Sequence, residues 1–176
     1  FGIHMMTGSC VMDNLYWKES IKILIETINY IQDTLNIKID YINIGGGIGI
    51  PYKPGELKIN IKDLVNIIDE TFIENNFSVP NLYMENGRYI TGPYGWLVSK
   101  CLCKKLSFNQ IFYGLDACMS NLMRPGMYNS YHHITILDKE NELKKSNVVG
   151  TLCENNDWFA KDRILPDSDV DDIFII

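Results

Sequence analysis

Apolar residues in the first ninety positions form short runs that are separated by longer amphipathic stretches. The runs at 1–6, 39–44 and 81–85 each end at a turn-forming segment, and their length is typical of buried strands. Between these runs, apolar residues recur every three or four positions over 21–35 and 61–72, which predicts two amphipathic helices. The resulting order of strand, helix, strand, helix, strand is typical of an α/β protein with parallel strands.

Polar residues at the predicted helix starts agree with this interpretation. Asp13 or Asn14 is a candidate N-cap for the first helix and Asn60 for the second, because their side-chain oxygens can accept hydrogen bonds from free backbone N–H groups. Glycine-containing loops follow the predicted strands. These loops are candidate ligand sites, since α/β proteins usually bind ligands at the carboxyl ends of their strands.

The pattern changes after Gly95 into short β-like runs between turns, and no helix longer than one or two turns is predicted there. These runs cover residues 96–106, 110–115, 131–137, 148–153 and 172–176. We therefore predict an α/β part over 1–92 and an all-β part over 93–176. A complete (β/α)8 barrel takes about 250 residues, so only a sector of one fits.

Composition narrows the classes of protein further. The 176 residues are 46% hydrophobic and 22% charged, which excludes a disordered chain. The net charge of −6 and the absence of long basic runs argue against nucleic acid as a partner, and no apolar stretch is long enough to span a membrane. Five scattered cysteines favour a reducing, cytoplasmic location over a disulfide framework. The chain begins with Phe and shows no signal-peptide pattern, so we expect it to be cut from a longer one.

The triple glycine Gly45–Gly47 is the first candidate for chemistry. Without side chains, its backbone N–H groups can approach an anion closely and form a nest for phosphate. A tight turn after a strand explains the same residues equally well. The segment fits neither the dinucleotide-binding fingerprint nor a P-loop, because the glycine spacing differs and no Gly-Lys-Ser/Thr follows.

Two further polar clusters have both a functional and a structural interpretation. Glu85 and Arg88 follow the third strand and could bind opposite parts of one ligand, or form a surface ion pair. Cys153 precedes Glu154, and a neighbouring carboxylate disfavours the thiolate. The thiol therefore suits a proton donor better than a nucleophile, although a half-buried inert cysteine is the simpler interpretation.

The sequence gives little support for a metal site. His132 and His133 are adjacent, and neighbouring residues on a strand point to opposite faces. Cys101 and Cys103 lack a second pair of ligands at zinc-binding spacing. We expect no metal.

Several segments together resemble the fold-type III pyridoxal-phosphate decarboxylases, and among them the diaminopimelate decarboxylases. The matching segments are GIHMMTGS (2–9), IGGGIGIP (44–51), ENGRY (85–89), GLDA (114–117), RPGMY (124–128), YH (131–132), GTLCE (150–154) and DRILP (162–166). They occur in the family order and cover nearly the whole chain. A single one of these motifs would be weak, but eight in order are specific.

The resemblance implies an alanine-racemase-type (β/α)8 barrel, of which residues 1–92 would be the last three strands, followed by an incomplete C-terminal β domain over 93–176. It also implies pyridoxal 5′-phosphate as the cofactor. The positions that match the family's cofactor site are Ser9, Gly45, Gly46, Gly47, Glu85, Gly87 and Arg88. Among these, Glu85 matches the carboxylate that faces the pyridine nitrogen.

Substrate and catalytic roles carry over in the same way. Arg88, Arg124 and Tyr128 match residues that hold the distal carboxylate of the substrate, and Glu154 matches a substrate contact. Cys153 matches the proton donor. In the family, the Cys-Glu pair reaches into the active site of a partner subunit, which implies a homodimer with shared sites.

The implied reaction is the decarboxylation of meso-2,6-diaminopimelate to L-lysine and CO2, a step of lysine biosynthesis. Met6 stands where many relatives have a ring-stacking histidine, and Asn86 replaces the usual proline. The lysine that forms a Schiff base with the cofactor lies upstream in the family. We therefore predict that this chain alone is inactive.

Three alternatives remain open at this stage. An ornithine or arginine decarboxylase shares the scaffold but needs an acidic group for the distal cation. A catalytically inactive regulatory homologue that binds a partner protein would explain the missing lysine, although it would not need Cys153, Glu85 and Arg88. A racemase is the weakest alternative, because racemases of this scaffold use a tyrosine base instead of a Cys-Glu pair.

Overall fold

A computed structural model describes residues 1–78 and 81–176 and divides the chain into two compact units. The first unit comprises residues 1–51 and 57–95, and the second comprises 52–56 and 96–176. The assignment of 1–92 and 93–176 to two functional domains stays a prediction. No helix within the described ranges is both long and apolar enough to cross a membrane.

The first unit alternates strands with helices. Its main elements are β1 (Gly2–His4), α1 (Asn14–Leu35), β2 (Tyr41–Asn43), α2 (Ile61–Glu74) and β3 (Leu82–Tyr83). The strands form a parallel sheet in the order β1-β2-β3. The predicted alternation is confirmed, although each strand is shorter than the apolar run that predicted it.

Both helices begin where a polar side chain can satisfy a free backbone N–H group. The Asp13 carboxylate accepts a hydrogen bond from the Leu15 N–H at 2.9 Å, and the Asn60 side chain accepts one from the Lys62 N–H at 3.1 Å. These contacts confirm two of the candidate caps. Helix α1 ends at Leu35, and the C-cap residue Asn36 has a φ of 50°, in the left-handed region.

The helices cover one face of the sheet. Their apolar stripes pack on β2 and its continuation to form one core, whose fully buried members are Trp17, Ile21, Ile28, Ile42, Ile44 and Leu64. This packing confirms the amphipathic pattern in the sequence, because the buried residues of α1 and α2 lie on the predicted apolar faces.

The other face of the sheet is open in this chain. Tyr41 and Tyr83 lie on it with their rings edge to face at 5.8 Å, and both are about half exposed. An open cleft over this face is also lined by Asn43, Met84 and Glu85. Such a face is unusual, because parallel sheets are normally covered on both sides.

A short helix follows β3, where the sequence predicts a turn. Helix α3 (Gly87–Thr91) continues into a 3-10 turn at Gly92–Tyr94. The Thr91 hydroxyl donates a hydrogen bond to the Gly87 carbonyl at 3.0 Å, which stabilises this single turn. Five residues are too few to produce a periodic apolar pattern, so the helix leaves no signal in the sequence.

The second unit is built on a six-stranded mixed sheet. Its elements are β4 (Val98–Ser107), β5 (Gln110–Leu115), α4 (Arg124–Tyr128), β6 (Thr135–Ile136), β7 (Leu143–Val149), β8 (Trp158–Pro166) and β9 (Ile173–Ile175). The strand order is β6-β9-β4-β5-β7-β8, and only the β5–β7 pair is parallel. The predicted β character and the lack of long helices are confirmed.

Two details of this sheet differ from the prediction. Strand β8 was not predicted. The run predicted at 148–153 shares only Val148 and Val149 with β7, which begins at Leu143 and leaves the sheet after Val149. The second difference has a clear cause, because the Gly150 N–H and the Leu152 N–H donate to the backbone and side chain of Asp157 instead of to a neighbouring strand. The chain therefore turns into a loop at Gly150.

Candidate functional site

Three loops at the carboxyl ends of β1, β2 and β3 lie side by side in the first unit. We call residues 5–9, 44–49 and 84–88 the rim loops. The Met5 N–H donates to the Asn43 carbonyl at 2.9 Å, and the Glu85 N–H donates to the Gly45 carbonyl at 2.8 Å. The parallel register thus continues into the loops, at the end of the sheet where α/β proteins place their ligands.

The triple glycine allows the rim loops to approach each other. A Cβ atom on Gly46 would collide with the Glu85 carbonyl oxygen, and one on Gly47 would collide with the Gly8 carbonyl oxygen. Gly47 also has a φ of +104°, a conformation that only glycine adopts readily. Any side chain at these two positions would push the loops apart.

Only part of the glycine segment is free to bind an anion. The Gly45 N–H donates to the Asn43 side-chain oxygen at 2.8 Å, and the Gly46 N–H contacts the Met6 sulfur at 3.2 Å. The Gly47 N–H has no hydrogen-bond partner within residues 1–78 and 81–176. The sequence predicted a nest of three such groups, but two of them are used inside the protein.

Glu85 presents an exposed carboxylate whose orientation is fixed by two neighbours. The Asn43 amide donates to Oε1 at 2.7 Å, and His4 Nε2 lies 3.7 Å from Oε2. Asn43 is not among the site residues that the sequence predicts. No motif marks this residue, because it acts only through its hydrogen bonds with Gly45 and Glu85.

Arg88 is half-buried at the start of α3, and its Nη1 atom is buried with no hydrogen-bond partner among the described residues. Its ion-pair interpretation with Glu85 finds no support, because no such contact occurs in the described part of the chain. A buried guanidinium nitrogen without a partner is energetically costly. This unsatisfied donor makes Arg88 a candidate for binding an anion.

Ser9 and Gly87 lie at the outer ends of the first and third rim loops. Ser9 is exposed, and Gly87 begins α3 with open space around the position of a Cβ atom. Together with the glycines, Glu85 and Arg88, all seven predicted cofactor residues lie on the three rim loops of the first unit.

The predicted clamp residues of the second unit lie on α4. Arg124 and Tyr128 are one helical turn apart, and the guanidinium carbon lies 5.6 Å from the centre of the Tyr128 ring and 6.0 Å from that of Tyr52. Nη2 donates to the Ser130 hydroxyl at 3.2 Å. The Nε atom is buried without a partner in the described ranges. The guanidinium group is therefore positioned by its neighbours but retains one hydrogen-bond donor without a partner.

Cys153 and Glu154 lie on the loop between β7 and β8, and both are exposed. We call residues 150–157 the Cys-Glu loop. A Cβ atom on Gly126 would collide with the Asn156 carbonyl oxygen, so α4 packs directly on this loop. The fold of the second unit therefore brings the predicted clamp helix and the predicted proton donor into one neighbourhood.

Candidate metal-ligating side chains are spread over the part of the chain that the structure describes. Within residues 1–78 and 81–176, no group of three or more His, Cys, Asp or Glu side chains is arranged to hold an ion. His132 and Cys101 thus lie in no such group.

Comparison with known proteins identifies related chains. The family described as "Pyridoxal-dependent decarboxylase, C-terminal sheet domain" matches residues 10–176. Protein TabA of Pseudomonas amygdali pv. tabaci is 38% identical over all of this chain and 42% of its own length. Diaminopimelate decarboxylase of Methanothermobacter thermautotrophicus is 33% identical over 99% of this chain and 42% of its own length.

Solved structures agree with these sequence matches. A crystal structure of diaminopimelate decarboxylase from M. jannaschii in complex with L-lysine is 32% identical and has a TM-score of 0.90, covering 99% of this chain and 41% of that one. The chain thus spans about two fifths of the length of these relatives. Because the family match extends over nearly the whole sequence, this chain belongs to the pyridoxal-dependent decarboxylases.

Proposed function

We propose that this chain forms part of an enzyme that decarboxylates meso-2,6-diaminopimelate to L-lysine and CO2. The observation that carries the proposal is the convergence of three rim loops, in which Gly46 contacts Glu85 and Gly47 contacts Gly8. Relatives named diaminopimelate decarboxylase, with identities of 31–33%, support this choice of substrate.

The open face of the parallel sheet supports the proposal that the first unit is a sector of a (β/α)8 barrel. Ile42 and Ile44 are buried under the helices, whereas Tyr41 and Tyr83 are exposed on the opposite face. In a barrel, that second face would be the inner wall and would be covered by the other strands. We therefore assign β1, β2 and β3 to the last three barrel strands.

The residues of the rim loops fit pyridoxal phosphate. The phosphate is a dianion, and the rim offers the free Gly47 N–H, the Ser9 hydroxyl and the first turn of α3 at Gly87. The buried, unpartnered Nη1 atom of Arg88 adds a hydrogen-bond donor on a positively charged group. We propose that these groups hold the cofactor, and that the closely packed backbone of Gly45 and Gly46 forms the bottom of the site.

Bound pyridoxal phosphate supplies an electron-withdrawing ring that stabilises the negative charge left on the substrate carbon when CO2 departs. The Glu85 carboxylate would hold a proton at the ring nitrogen, because an adjacent anion favours the protonated ring. Asn43 keeps Oε1 of Glu85 in place through its 2.7 Å hydrogen bond. Met6, whose sulfur lies against the Gly46 N–H, takes the place of a ring-stacking histidine.

Arg124 and Tyr128 would select a substrate with a distal carboxylate, together with Arg88. A guanidinium fork binds a carboxylate through two parallel hydrogen bonds, and a phenol adds a third donor. The free Nε atom of Arg124 supports this role. The same pair would disfavour ornithine, whose distal ammonium group repels the guanidinium.

Cys153 would donate the proton that replaces CO2, and the Glu154 carboxylate would bind an ammonium group of the substrate. Both side chains are exposed on a loop that is closed by hydrogen bonds within itself. We propose that they act in the active site of a second copy, so that the working enzyme is a homodimer.

The Schiff-base lysine must come from another part of the enzyme, because the three rim loops contain no lysine. We therefore expect the 176-residue chain to show no decarboxylase activity alone. If the protein is instead an inactive regulatory homologue, this chain is also expected to be inactive. The two proposals differ for the full-length protein, which would be active only if it is the enzyme.

An activity assay on the full-length protein tests the proposal. With pyridoxal phosphate, it should release CO2 from meso-diaminopimelate and form L-lysine, and the absorbance of the bound cofactor should change after borohydride reduction. Turnover of ornithine without turnover of diaminopimelate would contradict the assigned substrate. Binding of neither cofactor nor substrate would favour the inactive homologue.

A further inference from the structure

Asp157 is a buried carboxylate that the proposed chemistry does not use. Asp157 is only 5% exposed, and its carboxylate forms no ion pair with any residue in the described ranges. Burying a carboxylate is costly unless hydrogen bonds compensate for the lost water. The position of these hydrogen bonds indicates what the residue does.

Both carboxylate oxygens of Asp157 accept backbone hydrogen bonds from different loops. Oδ2 accepts from the Leu152 N–H at 2.6 Å, one residue before Cys153. Oδ1 accepts from the Met119 N–H at 2.6 Å, in the segment that leads to α4. One side chain therefore ties the Cys-Glu loop to the segment that carries Arg124.

The backbone of Asp157 closes the Cys-Glu loop as well. The Gly150 N–H donates to the Asp157 carbonyl at 3.0 Å, and the Asp157 N–H donates to the Glu154 carbonyl at 3.1 Å. A Cβ atom on Gly150 would collide with the Asp157 carboxylate. The glycine thus makes room for the carboxylate, and together they fix both ends of the loop around Cys153.

We propose that Asp157 is a positioning residue that sets the geometry of the proton donor and of the carboxylate clamp at the same time. It contacts neither Cys153 nor Arg124 directly and acts through the backbone at Leu152 and Met119. This inference rests on the proposed function for its consequence in catalysis, whereas the anchoring itself is independent of the reaction.

Amide hydrogen exchange in the full-length protein tests the anchoring without any turnover. In Asp157→Ala, we expect at least tenfold faster exchange at Leu152 and Met119, with exchange in β4 unchanged. Asp157→Asn retains one acceptor oxygen and should release one of the two amides more than the other. Asp162→Asn is the control, because Asp162 lies on the adjoining strand β8, is exposed, and forms an ion pair with Lys145 at the surface, where such pairs contribute little stability. Asparagine also tolerates its φ of 51°.

Two further measurements connect the anchoring to the site. Alkylation of Cys153 by iodoacetamide, located by peptide mapping, should change severalfold in rate in Asp157→Ala. With diaminopimelate, kcat should fall and KM should rise together, each about tenfold, because donor and clamp share the anchor. In Asp157→Asn both changes should be smaller.

The proposal is overturned if exchange at Leu152 and Met119 matches that of the wild type, or if exchange rises equally in β4. The second result would show that Asp157 only stabilises the unit as a whole. Wild-type protein that anchors both loops through Asp157 but does not turn over diaminopimelate would contradict the proposed function and leave the anchoring intact.

Discussion

At the scale of single residues, Asn43 shows how the fold couples two parts of the candidate site. Its side-chain oxygen accepts from the Gly45 N–H, and its amide donates to Glu85. The residue thereby links the glycine segment to the carboxylate assigned to the cofactor ring. Motifs in the sequence indicate Gly45 and Glu85. They do not indicate Asn43, because a residue that acts through others belongs to no chemical motif of its own.

Replacing Asn43 with Asp separates its two contacts. The new carboxylate keeps an acceptor for the Gly45 N–H but cannot donate to Glu85, and it adds a like charge beside Glu85. We expect the affinity of the full-length protein for pyridoxal phosphate to fall at least tenfold, since a hydrogen bond to a charged group contributes about 1.5–3 kcal/mol. Cofactor titration measures this, with Asn81→Asp outside the rim loops as the control. Unchanged affinity would contradict the role of Asn43.

Arg124 carries the proposed preference for a distal carboxylate. Arg124→Lys keeps the charge but loses the planar fork and the contact with Tyr128. We expect KM for diaminopimelate to rise about tenfold or more, with a smaller effect on kcat, because the clamp binds the part of the substrate that does not react. Steady-state kinetics check this against Lys105→Gln, an exposed control. A fall in kcat of similar size with KM unchanged would contradict the assignment.

At the scale of elements, the sequence predicts those helices that are determined by regular apolar spacing and by side-chain capping. Both long helices and their caps at Asp13 and Asn60 were predicted, because apolar spacing and capping chemistry are local properties. Strand β8 was missed. Its buried residues Trp158–Ala160 are consecutive rather than alternating, and Asp162 has a φ of 51° where the β7–β8 register shifts.

Helix α2 offers a matched test of the first core. Leu64 is fully buried beneath the parallel sheet, whereas Ile73 on the same helix is 74% exposed. We expect Leu64→Ala to lower the free energy of unfolding by about 2–5 kcal/mol, because it leaves a cavity. Ile73→Ala should change it by less than about 0.5 kcal/mol. Urea unfolding followed by circular dichroism measures both, and similar losses would contradict the assigned core.

At the scale of the whole molecule, the sequence indicated the two structural classes but not the order of strands in the second unit. Strands β5 and β7 pair in parallel, although α4, β6 and long loops lie between them along the chain. Such pairing depends on tertiary contacts that leave no local pattern. The candidate site was predictable to the extent that motifs mark it, whereas the anchoring by Asp157 required coordinates.

The second unit contains an ion cluster that makes its stability depend on pH. The Asp167 carboxylate accepts from Lys104 at 2.8 Å, from Lys144 at 2.9 Å and from the Tyr113 hydroxyl at 3.0 Å. The lysine hydrogen bonds, with that of Lys104 the largest influence, hold the pKa of Asp167 well below its ordinary value of 3.8. A lowered pKa in the folded state means that folding favours the charged form.

The stabilisation by Asp167 is therefore present above pH 4 and is lost as the pH falls below 3.8 toward the pKa of the folded state. Asp167→Asn should lower the free energy of unfolding by about 1–2 kcal/mol at neutral pH, and the difference from the wild type should shrink in acid. Denaturant unfolding at several pH values measures this. A difference that is independent of pH would contradict the role of the cluster.

The central claim is that the three rim loops hold one pyridoxal phosphate, and a crystal structure of the full-length protein with this cofactor tests it most directly. We predict phosphate oxygens within hydrogen-bond distance of the Gly47 N–H and of Arg88, and the pyridine nitrogen facing the Glu85 carboxylate. A cofactor bound away from the rim loops, or with its ring nitrogen facing another residue, would contradict the claim.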